Sequence, residues 1–345
     1  MATRTEAQEK QSAGSAQANP FQAIVMMAGG VVLPRCLHAA ADLGVADALG
    51  EEEQKTSDQL AASVGAHPDA LFRVLRVLSS NGIFEMIGRK VRHSPASRLL
   101  RSDHPHSLRS LARMFGLPGC WNAFNEFGYS VRTGIPAGTK TLPKGLWRYF
   151  QENPEAGRIF NEAMVGKAQV QVPAVVAAYD FSRFGTIADI GGGRGHLLQA
   201  ALEANRSVHG VLFDLPNVIQ DAGAVASDRL NLQAGDFFKD ALPTADVYTI
   251  MEVIHDWPDE ESVAIFKAIR KAAKPGATLL VIEQLIPEDK APHWAKMLDI
   301  HMLTLPGGKQ RTEEEYGELL RRSGFALERV HPTRSDVSII EAKAA

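Results

Sequence analysis

Two residues in the C-terminal half of the chain carry side chains suited to moving a proton. These are His255, in Ile254-His255-Asp256-Trp257, and Glu283, which closes the β-prone run ATLLVI over residues 277–282. An imidazole ionises near neutral pH and can take a proton, and a carboxylate beside it can hold the ring in the required tautomer. A solitary histidine is usually structural. A His and a Glu at the ends of neighbouring strands, beside a nucleotide-type loop, point to chemistry instead. The loop is supplied by residues 187–196, IADIGGGRGH, where four glycines (Gly191, Gly192, Gly193 and Gly195) fall within five positions.

That loop runs from an apolar start straight into the helical stretch HLLQAAL. A strand that turns into a helix through glycine lets a ligand approach the backbone and meet the free N–H groups of the helix start. The dinucleotide fingerprint G-x-G-x-x-G would need glycine at position 196, where this chain has His196. The spacing is G-x-G-x-G, the looser turn used by nucleoside-sulfonium cofactors. Asp214, in Phe213-Asp214-Leu215-Pro216, lies 23 residues beyond Gly191 and could accept both hydroxyls of a ribose; a turn-forming role is its plainer alternative. Gly235, Asp236 and Phe237, in AGDFF, follow the next strand. There Asp236 could accept an adenine amino group with Phe237 against the ring, or simply cap a helix.

These residues need a scaffold that gathers strand ends. After Ile187 strands and helices alternate, with strands expected in IADIG, VHGVLFDL, LNLQAGDF, DVYTIMEVI and ATLLVIEQ. That rhythm predicts a parallel sheet wrapped by helices on both faces, with ligands at its carboxyl edge. ALERVHPT and VSIIEAK follow so closely that they must pair as a hairpin, so the last strand is antiparallel. The expected fold class is α/β, a Rossmann-like class I methyltransferase sheet rather than a dehydrogenase one.

The 345 residues, 45% hydrophobic and 22% charged, allow two domains and a large core. A net charge of −3 gives no global reason to expect nucleic acid or an anionic membrane. Two distant cysteines, Cys36 and Cys120, make no disulfide framework or metal-ligand spacing, which points to the cytoplasm and to no metal. The apolar run from Phe21 to Pro34 is too short to span a bilayer. Residues 1–20 lack an apolar face and read as a disordered tail.

Residues 21–110 read as a helical unit. Two helices are expected, with breaks near Gly29-Gly30 and Pro34, the second being CLHAAADLGVADAL. Then Thr56-Ser57-Asp58 caps QLAASVG, His67-Pro68-Asp69 starts LFRVLRVLSSNG, and IFEMIG and KVRHSP form a hairpin. Helix, turn, helix and two-stranded wing make a winged-helix pattern. Eight Lys/Arg against four Asp/Glu between Lys55 and Asp103 raise a DNA-binding reading. The candidate reading helix opposes it, because Arg73 and Arg76 stand among six large apolar residues, a face suited to protein rather than to a major groove. Residues 111–180 form a helical linker; nine of the 24 aromatic residues fall between Phe115 and Phe160, either as bulky core or as the lining of a flat-ligand pocket. Residues 181–345 make up the nucleotide-binding domain.

Taken together, GGGRG, FDLP, AGDFF, IHDW and PGGKQRT, in this order, resemble the plant-type, cation-independent O-methyltransferases. That family includes caffeic acid, acetylserotonin and bacterial polyketide methyltransferases. The resemblance covers the chain from about Phe21 to its end. It implies a homodimer built through the winged-helix domain, S-adenosylmethionine as methyl donor with S-adenosylhomocysteine as product, and an aromatic small-molecule acceptor, without nucleic acid or membrane. By position it implies that Gly191, Gly193 and their loop hold the methionine part, Asp214 the ribose, and Gly235, Asp236 and Phe237 the adenine. His255 would be the general base and Glu283 its partner. Phe160, Asn161, Met164 and Asp256 would line the acceptor site.

Two positions depart from the family's pattern. Gln310 stands where a second glutamate beside the base is common, so it can offer the imidazole a hydrogen bond but no charge. Met251 stands four residues before the histidine, where Lys or Arg is usual. Two alternatives follow: the same fold and cofactor with N-, S- or non-methylating chemistry, and a ligand-sensing winged-helix regulator that binds DNA.

Overall fold

The computed structural model describes residues 19–51 and 53–345, which divide into two compact units on either side of residue 104. The tail expected over residues 1–20 lies outside the described residues up to residue 18, and Pro20 already begins a helix.

In the first unit, α1 (Pro20–Ala28) starts on an Asn19 cap whose side chain accepts from the Phe21 N–H at 3.1 Å. None of its residues is buried within the unit; Phe21, Ile24, Met26 and Met27 are each two-thirds exposed or more. The chain breaks at Gly29-Gly30, but α2 (Val32–Asp42) runs through Pro34. Proline in a first turn gives up only an N–H that has no helical partner, so the break expected there does not occur. The second expected helix is instead divided at Gly44 (φ 70°), a left-handed position that a side chain with Cβ would resist.

The strand β1 (Lys55–Thr56) leads into α3 (Ser57–Val64), closed by a capping box. Thr56 Oγ1 accepts from Gln59 N–H at 3.2 Å, and Gln59 Oε1 accepts from Thr56 N–H at 2.8 Å. The helix α4 (Pro68–Ser80) buries Leu71, Leu75 and Leu78, one stripe at helical spacing, and leaves Arg73 and Arg76 exposed. β2 (Phe84–Ile87) and β3 (Lys90–His93) form the expected antiparallel wing, with β1 added on the far side of β3. Two of the wing's cations are engaged inside the unit: Arg89 donates to Asp58 at 2.8 Å and Arg92 to Glu85 at 2.6 Å. Among the described residues no single helix is long and apolar enough to cross a membrane; α1 and α2, bent by 41°, pass by length and composition only as a pair.

The second unit opens with five short helices between residues 109 and 152, then the long α5 (Pro154–Ala178). The sheet then begins. β4 (Thr186–Ile190), α6 (His196–Ala204), β5 (His209–Asp214), β6 (Leu230–Ala234), β7 (Val247–Met251), α7 (Asp259–Ala272) and β8 (Thr278–Glu283) come in the expected alternation. After α8 (Trp294–Thr304) and α9 (Glu313–Arg322), the hairpin β9 (Phe325–Pro332) and β10 (Ser338–Ala344) ends the chain. The seven strands are ordered β6-β5-β4-β7-β8-β10-β9. β10 lies antiparallel between β8 and β9, so the hairpin's second strand is the reversed one and the first sits at the sheet edge.

Neighbouring strand residues go to opposite faces, which gives the sheet two cores. Ala188, Tyr248, Leu279, Val281 and Ile340 pack with Phe266 of α7 and Leu320 of α9. Their chain neighbours Ile187, Val247, Leu280, Ile282 and Ile339 pack with Val172 and Val175 of α5 and Leu198 of α6. Strands buried on both faces cannot shift register without losing this fit, so the ends that carry Asp214 and Glu283 are held rigidly.

Candidate active site

The glycine turn leaves β4 with Gly191, Gly193 and Gly195 all left-handed (φ 67°, 59° and 76°), and α6 starts from Gly195. Asp214, the last residue of β5, reaches across to it: Oδ2 accepts from Gly193 N–H at 2.8 Å and Oδ1 from Leu215 N–H at 2.7 Å. Each oxygen keeps a further lone pair for a hydroxyl. Burial raises the Asp214 pKa against these two N–H groups. A Cβ at Gly193 would meet nothing within 4 Å, so the turn has open space above it. Gly192 is packed tightly underneath, where a Cβ would come within 2.3 Å of Asp189 Oδ2.

Asp189 was not singled out in the sequence. It is buried in β4, accepts from Thr249 Oγ1 at 2.7 Å, and leaves Oδ2 without a partner. Burial, with a smaller push from Asp214, raises its pKa to about 7. Only the polar residue within an otherwise apolar strand could have signalled it.

Gly235 and Asp236 lie just past β6, which stops at Ala234, rather than within the strand. Gly235 is required by packing, since a Cβ would stand 2.7 Å from the Phe213 ring. The helix cap considered for Asp236 is not formed, since residues 237–239 make a turn and no helix starts there; its side chain closes that turn instead, Oδ1 accepting from Phe238 N–H at 2.9 Å and Oδ2 from Lys239 Nζ at 2.7 Å. Phe237 meets Trp257 edge-on, centroids 5.8 Å apart.

His255 sits on a 3₁₀ turn, Ile254–Asp256, four residues past the end of β7 rather than on the strand itself. Glu283, fully buried at the end of β8, grips it twice. Oε2 accepts from ring Nδ1 at 2.6 Å, and Oε1 accepts from the His255 backbone N–H at 3.2 Å. A carboxylate only accepts, so Nδ1 carries the hydrogen and Nε2 is left as the proton-accepting atom of the neutral ring. Asp256 Oδ1 stands 3.7 Å from Nε2, beyond hydrogen-bonding distance. Burial opposes charge on the imidazole, but Glu283, Asp256 and Glu252 together outweigh it and raise the His255 pKa to about 9. Burial likewise raises Asp256 to about 6.

The segment PGGKQRT braces this turn from beneath. Lys309 N–H donates to the His255 carbonyl at 2.9 Å. Arg311, without solvent exposure, donates to the carbonyls of Ile254 and Trp257 and to Asp259. A Cβ at Gly308 would fall 1.9 Å from the His255 carbonyl oxygen. Gly308→Ala therefore forces the two segments apart; the expected result is a thermal midpoint lower by several degrees, about 2–4 °C per kcal/mol at this size, together with loss of turnover. Differential scanning calorimetry and a rate assay check both. Gln310 is fully buried, its backbone N–H donating to Asp299 at 2.9 Å, but neither amide atom of its side chain has a partner. The hydrogen bond expected between this amide and the imidazole is not formed.

Phe160, Asn161 and Met164 lie on α5. Phe160 stacks on Phe150 at 4.5 Å and meets Trp147 edge-on at 5.6 Å, within the aromatic cluster of the short helices; Asn161 is exposed and Met164 half-buried. Lys167, which sequence reasoning missed, shares the face of Phe160 and Met164 (positions i, i+4, i+7) and bonds Glu252 Oε2 at 2.6 Å, just beyond β7. That ion pair joins the helix carrying Phe160 and Met164 to the segment that leads from β7 to the His255 turn. Among the described residues no group of three His, Cys, Asp or Glu converges to hold a metal.

A parallel sheet closed by a reversed strand, with a glycine turn, an acid at the next strand end and a buried His–Glu pair at its carboxyl edge, defines a class I methyltransferase. Residues 124–326 match the model of the O-methyltransferase domain family and residues 25–103 that of the O-methyltransferase dimerisation domain. The chain belongs to this O-methyltransferase family and uses S-adenosylmethionine. It is 40% identical over 335 residues to a phenazine O-methyltransferase of Lysobacter antibioticus, covering 95% of this chain and 98% of that protein. It is 37% identical to a mitomycin biosynthesis 6-O-methyltransferase of Streptomyces lavendulae, covering 90% and 91%. Among solved structures it is similar to an O-methyltransferase from neocarzinostatin biosynthesis in complex with S-adenosylmethionine and 2-hydroxy-5-methyl naphthoic acid (TM-score 0.77, 32% identity, covering 91% and 96%). The open space over Gly193 and the free lone pairs of Asp214 fit that nucleoside.

Proposed function

We propose that the chain transfers a methyl group to a hydroxyl of a flat, aromatic or polyketide-like small molecule, with His255 as general base and Glu283 as its orienting partner. The observation that carries this reading is the buried 2.6 Å bond between Nδ1 and Glu283, which leaves Nε2 to take the hydroxyl proton. Relatives that act on phenazine, mitomycin and naphthoate compounds support a fused-ring acceptor.

When bound, S-adenosylmethionine supplies an activated methyl carbon on a sulfonium. The protein's part is to hold the acceptor oxygen in line in a dry pocket, which can be worth ~7–11 kcal/mol, and to remove the proton. Gly191 and Gly193 would cradle the methionine part, Asp214 the ribose, and the remaining lone pairs of Asp236 with the face of Phe237 the adenine. Phe160, Asn161, Met164 and Asp256 would line the acceptor side. Asp214→Ala should weaken donor binding by about tenfold or more, the loss of a charge-assisted pair of bonds; undiminished affinity by calorimetry removes Asp214 from the donor site.

The test of function is incubation with methyl-labelled donor and a panel of hydroxylated phenazines, naphthoates and quinones, read by mass. A labelled ether product supports the reading, whereas methylation confined to amine acceptors replaces it with N-transfer. We assign a homodimer to residues 21–110, a helical cover over the acceptor to residues 111–180 and donor binding to residues 181–345. The free thiols Cys36 and Cys120 suit the cytoplasm. The apolar side chains left exposed on α1 would be covered by a second copy. Replacing Phe21 and Met27 by Asp should then yield monomers in light scattering, and an unchanged dimer would place the interface elsewhere.

A further inference from the structure

His255 lies among more negative charge than a base requires. Glu283 of β8 holds its ring, Asp256 is its neighbour on the turn, and Glu252 follows the end of β7 three residues before it. Beyond these, Tyr316 of α9 feels the charges of Glu283 and Arg311, and Asp336, between β9 and β10, faces Lys167. The ammonium brought into this cluster is Lys167 of α5, 2.6 Å from Glu252 Oε2, with both side chains mostly buried. Gln284, fully buried, donates to the other oxygen, Glu252 Oε1, at 3.1 Å.

Glu252 is also the one non-glycine residue with positive φ (52°) among the described residues. A side chain with Cβ resists that conformation, and it persists only where the surroundings hold it. Here the surroundings are an ion pair and a buried amide, both aimed at the Glu252 carboxylate. The strained residue thus points its charge to the helix face that bears Phe160 and Met164.

We propose that Lys167 and Glu252 form a positioning pair for methyl transfer, in which the ammonium of α5 balances the carboxylate that precedes the base turn and so sets the proton affinity of His255. The proposal rests on His255 being the base. Neither residue is a catalytic residue in this scheme; both act through the imidazole. Removing Lys167 alone leaves Glu252 uncompensated and stabilises the imidazolium, whereas removing Glu252 alone leaves a cation that destabilises it. The two single changes therefore act with opposite sign, which a purely structural latch would not do.

The experiment is the pH profile of kcat/KM for Lys167→Met, Glu252→Gln, the double variant and Lys167→Arg, with the most readily methylated aromatic acceptor. The acid limb should move up by about one pH unit in Lys167→Met and down by about one in Glu252→Gln, the size of shift a near charge produces. It should return close to the wild-type position in the double variant and in Lys167→Arg. Because the double variant removes both charges, it keeps the test open should a single unpaired charge prevent folding. The proposal is overturned if the variants lower kcat with the limb unmoved, or if Lys167→Met raises KM for S-adenosylmethionine alone. Failure of the base reading itself looks different: the wild-type enzyme would then lack the acid limb, and His255→Ala would keep full activity.

Discussion

His255→Ala should slow turnover by about 10²–10⁴-fold, the range a positioned general base supplies, while leaving affinity for S-adenosylmethionine within about twofold. The two effects separate because the imidazole and the proposed donor cradle are held by different elements. Asp214 and the glycine turn are fixed by β4 and β5, through bonds that do not involve the histidine. His255 is fixed by Glu283 of β8 and by the Lys309 N–H from the segment beneath. The loss should be largest for an acceptor whose hydroxyl is neutral at the assay pH and smallest for one already ionised, since an ionised oxygen needs no base. Single-turnover rates with two acceptors of different acidity, beside calorimetry with the donor, check all three statements. An equal loss with both acceptors would remove His255 from the proton transfer.

The strand rhythm, the glycine turn and the hairpin ending were legible because each is local: periodicity and turn chemistry lie in contiguous residues. The same holds for the helix cap at Thr56 and for the acid at the end of β5. Pro34 was misread because a proline's effect depends on where the helix starts, which its own residue type does not specify. His255 was expected at a strand end but stands on a turn, since the left-handed Glu252 cuts β7 short and nothing in the local sequence marks that position for positive φ. Lys167 lay hidden for a different reason. It is 85 residues from Glu252, and on sequence alone it is a lysine in a helical linker, where a solvated charge is the ordinary expectation. The Gln310 amide was expected on the imidazole, yet its environment depends on how the α8 end folds over the turn, a long-range matter.

Glu283→Gln should lower the plateau rate by about 10²–10⁴-fold and at the same time move the pH profile. In the wild-type enzyme His255 must be neutral to accept a proton, and its pKa is about 9. Below that pH the neutral fraction falls tenfold per unit, so kcat/KM should rise with pH and level off near 9, provided the acceptor hydroxyl titrates elsewhere. At pH 7 only about one ring in a hundred is then in the accepting form. Burial acts in the opposite direction to the three carboxylates, and Glu283 is the first of these in weight. Replacing it by the isosteric amide removes that attraction and leaves burial in place, so the acid limb should shift downward toward neutral pH. More rings are then neutral at pH 7, yet turnover drops, because the amide can present its N–H as well as its oxygen to Nδ1 and no longer selects the tautomer with Nε2 free. It also cannot stabilise the imidazolium that forms when the proton arrives. A lower plateau with the limb moved down assigns Glu283 to both tasks. A lower plateau with the limb still near 9 would mean that Asp256 and Glu252 set the proton affinity, and that Glu283 serves only to aim the ring.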